Sequence, residues 1–385
     1  MHGDCLLEEI SQSICSQAFA SDLKLVAWFG RCRPTENNTV LYSMPGVRFG
    51  VIISGTRNLR IKMCGGFNYF TVIVSDVATG DKKVITIESS NIMEWVNVLS
   101  DLDSTRVYDV RVIKKTEPEL RGILSRFYPV EVWKLRVDRH GHFQVVDCEK
   151  MFYPNGWIEV IGDSDACGFG VNGKASHIWN IFSMDGELQD VERAWGAVVG
   201  KIFGYGCITV AWSGKGILRN ATMCGSECLP EIWLKEHKSS LEWISLPPPK
   251  MILILAGGND FFHNDIPPRT EFVNGFIQFL EQLRKVYTSD VPIFCFVCSS
   301  NCCSSAGNPS SHPKENLVVV SECEILYEYI QEAVKSISAT TVFQLTTKLE
   351  IKTDYGIMMH WNEPGQSKIG HDITRLITNY LRKQK

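Results

Sequence analysis

Residues 161–170 read IGDSDACGFG and continue directly from the apolar run 157–161. A serine delivered at the carboxyl end of an apolar strand, with small residues after it, is how an α/β fold exposes a nucleophilic hydroxyl. Gly-Asp-Ser alone is a common turn tripeptide, so the stretch takes its meaning from three further blocks downstream. They come in order: Ser213-Gly214 in AWSGKGI, Gly258-Asn259-Asp260 in ILAGGNDF, and His360 in GIMMHWNEPG with Gly370-His371 beyond it.

The sequence around these blocks alternates between two textures. WIEVIG, ITVAW, MILILA, IFCFV and TVFQL are short, apolar and rich in branched residues. Between them lie the helical patterns LQDVERAWGAVVGKIF, TEFVNGFIQFLEQLRKVY and ECEILYEYIQEAVKSI. In the second of these, Phe272, Phe276, Phe279, Leu280 and Leu283 fall on one stripe at helical spacing. Such alternation predicts βαβ units and a mostly parallel sheet covered by helices, with active-site residues at the carboxyl ends of the strands. All four blocks fall just past such ends or in the last loop before a terminal helix, which is expected to begin near Gly370.

Upstream the pattern differs. From about 24 to 147, LVAWF, VRFGVIIS, LRIKM, YFTVIVS, KKVITI, VYDVRVI and VWKLRV are separated by turn signals such as Pro45-Gly46, Gly65-Gly66 and ATGD at 78–81. Strands spaced roughly 8–12 residues apart predict a β-sandwich or jelly roll. Two segments, IMEWVNVL at 92–99 and EPELRGIL at 117–124, read as short helices. The expected organisation is an all-β jelly-roll domain over 20–150 and a flavodoxin-like α/β domain over 155–385.

Composition narrows the function classes. A length of 385 residues suggests two domains. The net charge is −4 and no Lys/Arg block stands out, so neither nucleic acid nor an anionic membrane is implied as partner. No window approaches ~18 uninterrupted apolar residues, and the first residues lack the basic and apolar regions of a signal peptide. A cytoplasmic site is therefore the default, with export left open. Fourteen cysteines without a secretory signal read as reduced thiols. Cys295, Cys298, Cys302 and Cys303 have a spacing that zinc tolerates, but Cys295 and Cys298 lie in a strand-like run where i and i+3 face opposite ways. No metal is expected, and core thiols plus a loop pair are the reading adopted.

In their order the four blocks resemble the SGNH hydrolases, named for those Ser, Gly, Asn and His residues. Ser164 is the candidate nucleophile, and a serine hydroxyl needs a base to take its proton and donors for the oxyanion its attack creates. The Ser164 N–H at the start of a helix, the Gly214 N–H and the Asn259 side-chain amide are the candidate donors. His360 is the candidate base. His312 sits in the Ser/Pro-rich loop 302–316, and His263 comes after the Asn259 block as a candidate pocket residue. Trp361 and Trp212, beside the base and beside Ser213-Gly214, are candidate sugar contacts, since flat rings stack on pyranose faces.

The N-terminal half sharpens the resemblance. PGVRFGVIISGT at 45–56, VIVSD at 72–76, VYDVRVIKKTEP at 107–118 and RGIL at 121–124, with AWSGKGILRN at 211–220, look like the family 2 carbohydrate esterases, which join a jelly roll to an SGNH domain. That resemblance implies hydrolysis of O-acetyl groups from mono-, oligo- or polysaccharides, with no cofactor, and a Ser-His dyad whose histidine is oriented by a backbone carbonyl. Where SGNH triads place Asp, three residues before His360, stands Ile357; Asp354 and Glu363 are the nearby carboxylates that could reach the ring, and Asp354 is kept as the candidate acid partner. Trp361 replaces the usual Pro after the histidine, and Gly370-His371 lies further on than in the family. Asp165 beside the nucleophile is unusual, because a carboxylate facing the site would oppose the oxyanion, and it is expected to turn away. Two other classes stay open: a glycan-binding protein that has lost activity on this scaffold, and a lipid esterase or thioesterase.

Overall fold

The computed structural model describes residues 16–118, 129–174, 186–221, 224–241, 246–262, 266–299 and 321–384. They divide into two compact units, one taking 16–118, 129–154 and 238–241, the other the described residues from 155 to 237 and from 246 on.

The first unit is built from antiparallel β strands, with one short helix at Cys148–Phe152. Its strands run β1 (Gln17–Phe19), β2 (Ala27–Phe29), β3 (Cys32–Pro34), β4 (Val40–Tyr42), β5 (Arg48–Ser54) and β6 (Leu59–Cys64). They continue as β7 (Tyr69–Asp76), β8 (Lys82–Glu88), β9 (Glu94–Leu99), β10 (Val107–Lys114), β11 (Val130–Val137) and β12 (His142–Gln144). One sheet has the order β3-β4-β11-β6-β9 with β1 on β11, the other β12-β5-β10-β7-β8 with β2 on β5. The cause is visible in the sequence: YFTVIVSD buries every second residue, as a half-solvated antiparallel strand must. The result is the jelly-roll sandwich expected.

One segment departs from expectation. Residues 92–99 are not a helix; β9 pairs antiparallel with β6 from Leu59↔Leu99 to Met63↔Glu94. Trp95, Val96 and Val98 favour an extended backbone, and pairing against β6 outweighs the weak helical spacing of the segment. The segment predicted as a helix over 117–124 lies, from 119 on, outside the described residues.

The second unit is a five-stranded parallel sheet of order β14-β13-β15-β16-β17, formed by β13 (Trp157–Gly162), β14 (Gly206–Ala211), β15 (Ile252–Leu255), β16 (Ile293–Cys298) and β17 (Thr340–Leu345). β13 is buried at every residue, as a strand covered on both faces must be. The flanking helices are α1 (Ser164–Cys167), α2 (Trp195–Phe203), α3 (Leu229–Leu241), α4 (Arg269–Val286), α5 (Glu322–Val334), α6 (Ile351–Asp354) and α7 (Glu363–Lys383). The core joins Ile158, Val160, Trp195, Leu253, Phe294, Phe296, Trp361, Ile369, Ile373 and Ile377.

Two helix boundaries differ from the sequence reading. The pattern at 188–203 becomes a 3-10 turn at Val191–Arg193, capped by the Asp190 carboxylate, and then α2. Ala194 between them is extended, and Gly204 in the left-handed region ends α2. α7 begins at Glu363 and not near Gly370: the Asn362 side chain accepts the Gly365 N–H, and Pro364 sits in the first turn, where its missing N–H costs nothing. Gly370 and His371 therefore lie inside a helix, with His371 exposed. Among the described residues no helix is long and apolar enough to cross a membrane.

Candidate active site

β13 lies between β14 and β15, so the loops at their carboxyl ends, which carry Ser164, Gly214 and Asn259, converge at one place. The chain turns sharply from β13 into α1. A Cβ on Gly162 would come within 2.7 Å of the Leu255 carbonyl, so glycine is what lets the turn close on β15. Asp163 caps the turn: its carboxylate accepts the Asp165 N–H, and its carbonyl accepts from Ala166 and Cys167.

Ser164 Oγ lies 2.8 Å from His360 Nε2. The other ring nitrogen, Nδ1, lies 3.2 Å from the carbonyl oxygen of Ile357. A carbonyl can only accept, so Nδ1 carries the hydrogen and Nε2 is left as acceptor for the serine hydroxyl. Phe169 packs against the imidazole at 4.7 Å between ring centres in an edge geometry. A hydroxyl held in this way can pass its proton to the ring as its oxygen attacks a carbonyl.

His360 is presented by a tight loop. Its N–H bonds the Ile357 carbonyl and its own carbonyl accepts from Gly356, while Tyr355 and Trp361 form a β-bridge across the base. Met358 and Met359 both take left-handed backbone angles, φ 49° and 63°, which cost non-glycine residues about 1 kcal/mol or more each.

On the loops after β13 and β14, neither the Ser164 N–H nor the Gly214 N–H has a hydrogen-bond partner among the described residues. Gly214 has φ +76°, and a Cβ there would lie 2.1 Å from Cys224 Sγ. Asn259 is placed differently. Its amide nitrogen donates to Asp163 Oδ2 and to the Lys215 carbonyl, both at 3.0 Å, so both of its hydrogens are engaged. Asp260, unremarked in the sequence beyond its motif, holds the loop after Gly214: its carboxylate accepts the N–H groups of Ile217, Leu218 and Arg219 at 2.8, 2.7 and 3.0 Å. Burial pushes its pKa up, and those three N–H groups pull it back.

The other candidates separate. Asp354 is buried, but its carboxylate holds the Lys368 ammonium at 2.8 and 2.7 Å and the Glu350 N–H. Burial alone would raise its pKa; Lys368 and that N–H hold it below the ordinary range. The position at Nδ1 belongs to Ile357, which corrects the reading of Asp354 as acid partner. Trp361 is 1% exposed and part of the core, so it offers no platform to a sugar. It packs inward because the β-bridge with Tyr355 turns it beneath the loop. Trp212 is half-buried, with the Lys215 ammonium 4.7 Å above its ring. His263, Cys302 and Cys303 lie outside the described residues. Cys295 is buried in β16 and burial raises its pKa strongly; among the described residues no group of His, Cys, Asp and Glu is arranged to hold a metal.

Asp163 and Asp165 are both buried beside Ser164. Burial, and then the charge of Asp165, push Asp163 up to about 8. Burial also raises Asp165, but His360 and the Trp361 N–H favour its charged form. Asp163, at about 8, therefore keeps its proton at neutral pH, while the imidazole and the Trp361 N–H are what favour ionisation of Asp165 against its burial.

Solved structures share this architecture over nearly the whole chain. The family two carbohydrate esterase of Clostridium thermocellum, in complex with cellohexaose, matches with a TM-score of 0.70 and 19% identity, over 92% of this chain and 99% of that one. This chain has the family two carbohydrate esterase fold. The family two enzyme of Cellvibrio japonicus matches at TM-score 0.69 and 16% identity over 96% and 98%, and the acetyl xylan esterase of Butyrivibrio proteoclasticus at 0.69 and 15% over 95% and 98%. No family model and no curated protein matches the sequence, so the likeness is one of fold.

Proposed function

We propose that this chain is a serine ester hydrolase that removes O-acetyl groups from carbohydrates. One observation carries the reading: the 2.8 Å contact between Ser164 Oγ and a histidine whose second nitrogen is fixed by a carbonyl. Ser164 attacks the acetyl carbonyl while His360 Nε2 takes its proton. The oxyanion faces the Ser164 and Gly214 N–H groups, each worth about 10²–10³ in rate where such a donor is removed. Asn259 joins them by sharing a hydrogen now directed at Asp163 or Lys215. His360 returns the proton to the leaving sugar oxygen, then activates the water that releases acetate.

The substrate class rests on the fold neighbours, one described with cellohexaose and another as an acetyl xylan esterase. A salicylyl-acyltransferase matches the same scaffold at TM-score 0.55 and 12% identity, so an acyl-enzyme that hands its acyl group to a second hydroxyl is the nearest chemical variant. A carbohydrate esterase described as having divergent catalytic and non-catalytic binding functions, at TM-score 0.65, favours a second reading as a glycan binder. Turnover of p-nitrophenyl acetate and of acetylated xylose, abolished in Ser164→Ala, is the outcome expected; saturable glycan binding without turnover overturns the enzyme reading.

A further inference from the structure

Asp165 does not turn away from the histidine. It is buried directly after the nucleophile, and its Oδ1 accepts the N–H of Trp361, the residue next to His360, at 3.4 Å. Its main-chain carbonyl accepts Gln366 Nε2 at 3.0 Å, and Gln366 Oε1 in turn accepts the Trp195 N–H at 2.8 Å. The residue thus joins the serine turn to the histidine loop and to the first turn of α7.

A buried carboxylate is costly unless a positive group meets it. Among the described residues no lysine or arginine pairs with Asp165. The positive charge available to it arises at His360, when the ring takes the serine proton. We propose that Asp165 is a positioning residue for His360, supplying through the Trp361 N–H and across the buried space the negative charge that a triad would place at the ring's Nδ1. The proposal rests on the reading of His360 as the base.

The other carboxylates around the loop are otherwise engaged. Asp354 is neutralised by Lys368, and Glu363 is exposed and paired with Arg193 at 2.8 Å. Asp260 is bound by three loop amides. Asp163, pushed up first by burial and then by its neighbour's charge, holds its proton up to about 8. The group at Nδ1 itself, the Ile357 carbonyl, orients the ring but carries no net charge to offset an imidazolium.

The test compares full-length wild type with Asp165→Asn, which keeps an acceptor for the Trp361 N–H and removes only the charge. Asp165→Thr is a second neutral variant, and whichever of the two retains a wild-type melting transition decides. On p-nitrophenyl acetate, kcat is expected to fall about 10- to 100-fold with KM little changed, since one to two pH units of imidazolium stabilisation correspond to that factor. The acidic limb of kcat/KM is expected to move to lower pH. A folded neutral variant with wild-type kcat, or one whose kcat falls with no movement of the acidic limb, overturns the proposal. Wild-type turnover that is absent, or that survives Ser164→Ala, overturns the esterase reading and this proposal with it.

Discussion

The two halves of the site are built on different principles. The serine side rests on regular elements: a fully buried strand, a turn closed by Gly162, an Asp163 cap, and a neighbouring loop fastened by Asp260. The histidine side rests on a short loop with two left-handed methionines, a backbone carbonyl for orientation, and tertiary ties from Asp165 and Gln366. The first would hold its shape on any sheet with that strand order. The second holds only because surrounding structure fixes an otherwise unfavourable backbone.

Removing either reacting group tests the comparison at its extreme. Ser164→Ala and His360→Ala are each expected to lower kcat on the order of 10⁶, because the two act as a unit, and the double variant should lose little more. Additive losses in the steady-state kinetics would show that the contact between them is not the working one.

Asp260→Ala strikes the support of the serine side. One buried and two half-buried N–H groups would be left without this partner, and a loss of about 2 kcal/mol in urea unfolding is expected, with kcat reduced as Gly214 is released. A variant of wild-type stability would show that the loop holds without its carboxylate.

A pH series sharpens the account of Asp163. Its folded pKa, about 8, lies above the ordinary aspartate value near 4, so its contribution to stability is fully present below about pH 4 and is lost as pH rises towards 8. Wild-type Tm is expected to drop between pH 5 and 8 more steeply than that of Asp163→Asn. Parallel curves would mean that the proton does not reside on this residue.

On the histidine side, Met359→Gly relieves one left-handed position and is expected to raise stability by about 1 kcal/mol or less while lowering kcat, because the loop loses its fixed shape. Denaturant melts and kinetics on the same preparation read both effects; a rise in kcat would contradict a strained but productive loop. The smallest effect is expected at Asp354→Asn, with kcat within about twofold of wild type, since Ile357 and not Asp354 meets the ring.

The same contrast explains what is legible in the sequence. Ser164, Gly214 and Asn259 are visible because each comes just after an apolar strand, and a parallel sheet brings strand ends together whatever lies between them. His360 is visible from its place before the last helix. Its partner is not visible in residue type, since a carbonyl orienting a ring leaves no mark there: only the family resemblance implies a carbonyl, and Asp354, kept as the candidate acid, binds Lys368 instead. Trp361 reads as a platform because nothing in the sequence tells a β-bridged core tryptophan from an exposed one. The tie between Asp165 and the residue after His360 spans 196 positions and depends wholly on the fold. The start of α7 is readable in principle, since Asn362 with Pro364 two residues on is a cap signature.

The central claim is that Ser164 is a nucleophile activated by His360. Reaction with a serine-directed fluorophosphonate, with mapping of the modified peptide, tests it directly. A single adduct on Ser164 is expected, lost in Ser164→Ala and formed far more slowly in His360→Ala. No adduct on folded protein, or an adduct on another residue with acetate release intact in Ser164→Ala, would contradict it.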